Sequence, residues 1–428
     1  MSQGDVGATD SPTRENGLGI AQNMAWNSVG NIVYLIAQWL LSYFVVRILG
    51  YGPAGIFSLA MSVGNSVCAV AAYSMRNYQA SDIDNAYTDR QYILSRIVTS
   101  VISFVAAVVF VCVQSYGLET SLCVIGFSLF KISEAVSDVY QAIQQKHLRM
   151  DYVGKAYILK SVAEVVVFLA SLLVTGSLVV AVFALSIVSF VEIWTYERIV
   201  ALRLSREDAS QASPQPLAAE LTAVRKLLVV CAPMAIYGVL FNTLVQVPRY
   251  QLQALRGDEV LGIYASVAMP IMLVQVAANY LFTPLTTPMA RMYKDGETSR
   301  FVKMFMRVVA AIVIVSVAAF LVAALLGKPV YTLMYGESIT DYLYLMYPLI
   351  LCSVLTALSW FFANTLTILR KLGILLVGSC VAFVVALASG FPLIDAFGMN
   401  GASFACLAAL GTFVVITGIG LFTARRSA

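Results

Sequence analysis

Apolar residues gather into twelve stretches, each close to a bilayer in length, with short polar loops between them. Their bounds are 21–48, 54–75, 91–114, 119–143, 155–175, 178–200, 226–248, 260–285, 302–326, 341–368, 372–390 and 399–423. A helix needs about 20 mostly apolar residues to span the hydrocarbon. The pattern therefore predicts an all-α polytopic membrane protein with twelve transmembrane helices. Residues 1–20 are polar, lack the basic start and apolar core of a signal peptide, and are expected to form a disordered tail. The segment 201–225, rich in Ser, Ala, Pro and Gln, is the longest stretch outside the spans. It divides the chain into six-helix lobes at 21–200 and 226–428.

A short phrase recurs across that division. Gly55-Ile56-Phe57-Ser58 opens the second span, and Gly262-Ile263-Tyr264-Ala265 opens the eighth, 207 positions later. Transporters often carry such weak internal symmetry, with the substrate site between the repeats. The expectation is two pseudo-symmetric six-helix bundles around a central cavity.

Charge fixes the expected orientation. Of the 27 basic residues, Arg47, Arg249, Arg256 and Lys328 fall in loops on one side, and Lys131 and Lys160 lie inside spans. The other 21 flank both termini and the loops after the even-numbered spans, so the positive-inside rule makes both termini cytoplasmic. The net charge of +4 is thus a topology signal and not a nucleic-acid signal. Only 12% of residues are charged and 60% are hydrophobic, against about 25% charged in a soluble domain.

Enzyme chemistry is not indicated. His147 is the single histidine, in the basic stretch Lys146-His147-Leu148-Arg149, and the seven cysteines sit in apolar spans without pairing or metal spacing. No metal site or cofactor is expected. Gly50-Tyr51-Gly52-Pro53-Ala54-Gly55 matches GxGxxG, but it reads as a loop between spans, whereas a dinucleotide fingerprint needs a strand before it.

Polarity inside the spans is the remaining signal. Asn27, Asn31, Tyr34 and Gln38 share one face of the first span; Ser58, Ser62, Asn65, Tyr73 and Arg76 share one of the second. Asn242, Gln246, Arg249 and Gln253 align on the seventh, and Gln275, Asn279 and Thr283 on the eighth. Amides and hydroxyls cannot face lipid unsatisfied, so these stripes face helices or a wet cavity. On the fourth span Lys131, Glu134, Asp138, Gln141 and Gln145 share a face. Intramembrane ionisable residues are functional candidates by default. Glu134 and Asp138, like charges one turn apart, need Lys131 or a shared proton between them, which makes them candidates for ion coupling as well as for a structural network. Lys160–Glu164 reads as a structural pair, and Glu192 adds a further intramembrane acid. Pro233, Pro270, Pro284 and Pro348 are expected to bend spans in the second half.

Several short phrases give the chain a family likeness. They are Asn23-Met24-Ala25-Trp26-Asn27, Arg47-Ile48-Leu49-Gly50-Tyr51-Gly52 leading into Gly55-Ile56-Phe57-Ser58, Arg76-Asn77-Tyr78-Gln79-Ala80-Ser81-Asp82, and Gly398-Met399-Asn400-Gly401-Ala402-Ser403. With them the sequence resembles the polysaccharide-transporter branch of the multidrug/oligosaccharidyl-lipid/polysaccharide exporter superfamily, which holds the O-antigen and capsule flippases. The resemblance implies two lobes forming a V around a cavity and translocation of an undecaprenyl-diphosphate-linked sugar repeat to the outer leaflet of a bacterial plasma membrane. It further implies cationic cavity residues for the diphosphate, here Arg76, Lys131 and Arg249, and work alongside a glycan polymerase and glycosyltransferases. Lipid II flippases of that superfamily usually carry two more helices than the twelve read here, which argues against that cargo. A diphosphate and a hydrophilic oligosaccharide cannot cross about 30 Å of hydrocarbon unaided; a cavity lined by Asn27, Asn31, Gln38, Asn65, Asn242 and Gln246 replaces their hydration. The alternative within the superfamily is an antiporter of amphipathic cations, with Glu134 and Asp138 as coupling acids. A non-transporting scaffold for glycan assembly would need no wet cavity.

Overall fold

The computed structural model describes residues 20–82, 85–208, 216–282 and 285–424, and among them every regular element is helical. The first lobe comprises α1 (Ile20–Leu49), α2 (Tyr51–Ala72), a short α3 (Met75–Ser81), α4 (Asp89–Gln114), α5 (Leu118–Lys146), α6 (Met150–Thr175) and α7 (Leu178–Glu192). A π turn at Ile193–Glu197 carries α7 into α8 (Arg198–Asp208). The second lobe comprises α9 (Leu217–Phe282), α10 (Thr286–Lys294), α11 (Thr298–Tyr335), α12 (Met346–Ile368), α13 (Leu372–Phe397) and α14 (Met399–Ala424), with a 3-10 segment at Glu337–Leu345. Among the described residues ten runs are long and apolar enough to cross a membrane. One of them, within α9, holds two spans joined at Gly257. α5, 29 residues long and carrying Lys131, Glu134 and Asp138, completes the twelve.

Several expected boundaries move. The loop expected around 201–225 is mostly helical, with α8 running to Asp208 and α9 starting at Leu217; residues 209–215, like the 1–19 part of the tail and Thr283 and Pro284, lie outside the described residues. The expected loop at 50–53 is one residue, Gly50, and Tyr51–Gly55 already form the first turn of α2. Pro53 is tolerated there because first-turn N–H groups have no helical partner. The expected loop after 248 is likewise absent: α9 stays helical through Arg256 and breaks only at Gly257. Pro233 and Pro270 lie inside α9 without interrupting it, and Pro348 falls in the first turn of α12. Gly50 (φ 89, ψ −173) and Gly257 (φ 84, ψ 178) share one conformation, which a side chain rarely adopts. The offset that maps Gly55 onto Gly262 also maps Gly50 onto Gly257.

The even number of spans puts Ile20 and Ala424 on one face of the bundle (the terminal face) and the Gly50 and Gly257 turns on the other (the turn face). The largest contact between lobes runs along α2 and α9. At the turn face a Cβ on Gly55 would lie 1.7 Å from the Asp258 carbonyl oxygen, and one on Gly262 would lie 2.0 Å from that of Tyr51. Midway, the Tyr250 hydroxyl donates to the Ser62 carbonyl at 2.8 Å. Near the terminal face Ser74 Oγ donates to the Met234 carbonyl at 3.2 Å, and Arg90 pairs with Glu220 at 3.2 Å. On the other flank α1 meets α11 near the turn face, where Tyr43 and Tyr335 lie 5.9 Å apart.

Candidate substrate-binding site

Two polar centres lie inside the membrane-spanning body, one within the first lobe and one around Arg249 of the second, where the lobes meet. In the first lobe α5 packs centrally and buries its polar stripe. α2 ends where Tyr73 (φ 49) and Ser74 (φ 51) take left-handed conformations, and α3 restarts the chain in a new direction. That break aims Arg76 at α5: Nη1 reaches Asp138 Oδ1 at 3.0 Å and Gln141 Oε1 at 3.1 Å, and Nε reaches Gln145 Oε1 at 3.4 Å. The other Asp138 oxygen accepts from Arg96 Nη2 at 3.1 Å. Arg96 is 1% exposed and also donates to the Ala71 carbonyl at 2.7 Å, as does Thr99, satisfying the C-terminal end of α2. By sequence Arg96 belongs with the loop cations. In the structure it is a buried partner instead.

Two turns earlier on α5, Lys131 Nζ donates to Glu134 Oε2 at 2.6 Å and to the Tyr34 hydroxyl at 3.1 Å. Tyr34 donates to Glu134 Oε1 at 2.5 Å. The aliphatic stem of Lys131 lies under Gly64 of α2, where a Cβ would stand 3.1 Å from Lys131 Cγ. Its ammonium stands 5.1 Å from the centroid of the Phe130 ring. Glu134 and Asp138 are therefore matched to separate cations. Deeper in the lobe Lys160 faces Glu164 at 3.9 Å, Gln141 Nε2 donates to Glu197 at 2.8 Å, and the carboxylate oxygens of Glu164 and Glu192 are buried without hydrogen-bond partners.

The polar face of α1 meets this network only in part. Tyr34 joins it. Asn31 donates to the Asn27 carbonyl at 2.7 Å, and Gln38 is buried with both amide atoms unpartnered. Asn65 on α2 is half-buried.

The second centre surrounds Arg249. It precedes Gly257 by eight residues on α9, which sets it about 12 Å inside the turn face at about 1.5 Å per residue. Among the described residues no carboxylate pairs with it. It separates two small cavities, one of about 40 Å³ lined by Tyr264, Gln275, Ser353, Thr356, Cys352 and Cys406 among others. The second, of about 20 Å³, is lined by Ser42, Ser58, Ser266 and Tyr335 with apolar neighbours. Tyr264 is held against Ser403 at 3.0 Å. One turn before Arg249, Gln246 is buried with its carbonyl oxygen unpartnered; Asn242, a further turn back, is exposed and donates to the Gly238 carbonyl at 2.9 Å. A water needs about 10–15 Å³, so each of these two cavities has room for one to a few waters and not for an oligosaccharide.

The α5 stripe and Arg249 are legible in the sequence. Arg96 and Tyr250 are not, the first hidden among loop cations and the second an aromatic whose hydroxyl bridges the lobes at mid-depth. Of the eighth-span stripe, Asn279 contributes only its helical backbone to the described structure, and Thr283 lies outside the described residues.

The fold is a helical membrane body of two lobes and twelve spans, with polar centres buried inside it. A family model described as "Polysaccharide biosynthesis protein" matches residues 20–294, more than half of the chain, and the protein belongs to that family. It is similar to the capsular polysaccharide biosynthesis protein CapF of Staphylococcus aureus, 18% identical over 323 residues, 74% of this chain and 78% of the relative. In fold it matches a mutant form of the Vibrio cholerae MATE transporter VcmN, with a TM-score of 0.62 at 16% identity over 96% of this chain and 97% of that one. A MOP superfamily transporter from Pyrococcus furiosus, described as having a binding pocket of reverse polarity, matches with a TM-score of 0.61 at 16% identity over 95% of each chain.

Proposed function

We propose that this protein is a flippase that moves an undecaprenyl-diphosphate-linked oligosaccharide repeat unit from the cytoplasmic to the outer leaflet of a bacterial plasma membrane. The observation that carries this reading is Arg249, an intramembrane guanidinium with no acidic partner among the described residues, bordered by hydroxyls and amides. An uncompensated intramembrane cation is costly, and a phosphate is the natural counter-charge for the planar guanidinium fork. Arg76 and Lys131 extend the proposed cationic surface on the first-lobe side, but each already neutralises a carboxylate. Arg249 is therefore the primary diphosphate ligand, with Gln246 and Asn242 on the same face of α9, and with Asn27, Asn31, Gln38 and Asn65 toward the sugar. The polyprenyl tail stays in lipid while the lobes, 21–200 and 226–428, rock about the 201–225 connection. A glycan polymerase and glycosyltransferases act before and after it.

The test is flipping of a fluorescent lipid-linked oligosaccharide by the purified protein in vesicles. Arg249→Gln should lower the rate about tenfold or more while Arg249→Lys retains part of it, because a lost charge-assisted contact is worth about 1.5–3 kcal/mol. Wild-type flipping by Arg249→Gln would overturn the assignment of Arg249. Gradient-driven export of an amphipathic cation, with no flipping of the lipid-linked sugar, would replace the flippase reading with that of a cation antiporter.

A further inference from the structure

Around α5 the first lobe gathers five acids and four cations. Asp138 has Arg76 and Arg96, Glu134 has Lys131 at 2.6 Å, and Glu164 has Lys160 at 3.9 Å. Glu197 has no cation, but Ser137 and Gln141 both donate to it. Glu192, the last residue of α7, has neither. It is 5% exposed, both its carboxylate oxygens are buried without a donor, and no cation pairs with it among the described residues. Contacts to α5 bracket it along the chain: Ser189 meets Ser133 at 2.6 Å on one side, and Glu197 meets Gln141 at 2.8 Å on the other. The charges that reach it are those of Glu197 and Glu164, which repel, and of Lys160, which attracts. Arg198, beyond the π turn, stands instead 4.5 Å from the centroid of the exposed Trp194 ring. The other titratable neighbours are phenols. Tyr34 and Tyr157 donate to Glu134 and Gln141, and Tyr196 lies within the π turn.

The acids outnumber the cations by one, and Glu192 is the acid left over. An ionised carboxylate buried with neither a cation nor a donor is so costly that such a group becomes neutral instead. A proton neutralises it and needs no further ligand. A metal cation is a poor fit, because it needs several oxygens converging on one point. Among the described residues no group of three acidic, histidine or cysteine side chains could hold one, and the Lys160 ammonium would repel it. We propose that Glu192 is a proton-binding site of the first lobe, occupied in the arrangement seen here, with Glu164 ionised beside Lys160. The bound proton brings the five acids and four cations to zero net charge. Glu192 directly precedes the π turn at Ile193–Glu197, and such turns recur at functional sites. The inference goes beyond the flippase reading and does not depend on the cargo at Arg249.

Infrared spectroscopy of the full-length protein in nanodiscs reads the proton directly, because a protonated carboxyl has a C=O band that a carboxylate lacks. The parent should show this band at neutral pH, and Glu192→Gln should lose it. Glu119→Gln, which changes an exposed acid in the first turn of α5, should keep it. The band should not respond to sodium at constant pH. Glutamine has the shape and neutrality of the protonated acid, so Glu192→Gln should melt at the parent temperature, whereas Lys131→Met, which strands a charge, should melt lower. A parent without the band overturns the proposal, as does a band that survives in Glu192→Gln or one that sodium removes. So does a Glu192→Gln protein that fails to fold or loses as much melting temperature as Lys131→Met, since an ionised, structural Glu192 predicts that result.

Discussion

Gly55 and Gly262 occupy equivalent places in the two lobes, and each rests on the other lobe's backbone. Gly55 faces the Asp258 carbonyl and Gly262 faces that of Tyr51, and the same offset relates Tyr51 to Asp258. The contact is reciprocal, as expected of a pseudo-two-fold axis running between the helix starts. It closes the turn face through backbone packing, without charges. This is the physical reason for the recurring glycine.

A methyl group at either glycine overlaps a carbonyl oxygen, and backbone cannot rotate out of the way as a side chain can. Gly55→Ala and Gly262→Ala should therefore disfavour the closed turn face, by about 1–3 kcal/mol for a forced overlap. In a background free of native cysteines, Ser58→Cys reports the effect, since Ser58 lines the cavity behind that contact. Labelling from the turn face by an impermeant maleimide should be slow in the parent and several-fold faster with Gly55→Ala. Equal labelling would show that the glycines do not gate that face.

The α5 network makes a different kind of prediction, about stability. Lys131→Met strands Glu134 in a buried site, and removing one partner of such a pair typically costs about 3–5 kcal/mol. Lys131→Met/Glu134→Gln removes both charges and should recover most of the lost thermal stability. The same cycle applies to Asp138, except that Asp138→Asn leaves two arginines without their shared acid. It should be more damaging than Glu134→Gln. Melting temperatures in one detergent compare the four variants; additivity within the Lys131–Glu134 cycle would contradict the coupling seen in the structure.

The spans and their polar faces are legible in the sequence because both follow from local periodicity. The α5 stripe can be drawn on a wheel with no contact known. Depth and partnership cannot be read that way. Arg96 reads as a loop cation beside Arg90, yet its acid, Asp138, is 42 residues away on another helix. Arg249 reads as the start of a loop because charge there suggests an interface. The helix in fact continues to Arg256, and Gly257 alone makes the turn. Turns of one residue leave little composition to read, and only a glycine held at positive φ marks each of them.

Orientation is testable without a structure. The basic loops lie on the terminal face, so residues 201–225 and both chain ends are expected in the cytoplasm. A reporter active only outside the cytoplasm, fused after Ser210, should be silent, and the same reporter inserted after Gly117 should be active. The opposite pattern would invert the proposed direction of transport.

Energy coupling through Glu134 and Asp138 is decided by comparing driven and undriven transport. A gradient biases alternating access only when the ion binds the two states differently. Glu134 is held by Lys131 and Tyr34, and Asp138 by Arg76 and Arg96, so in the arrangement seen here neither acid is left to take up an ion without breaking a bond to its partner. That geometry favours a structural role. Flipping in vesicles is measured with and without an imposed proton or sodium gradient for the parent, Glu134→Gln and Asp138→Asn. The expected outcome is that each variant slows flipping by the same factor in both conditions, in parallel with its loss of thermal stability. A variant that flips at the parent rate without a gradient but no longer accelerates when one is imposed would make its carboxylate a coupling acid, and would mean that the salt bridge seen here opens during the cycle.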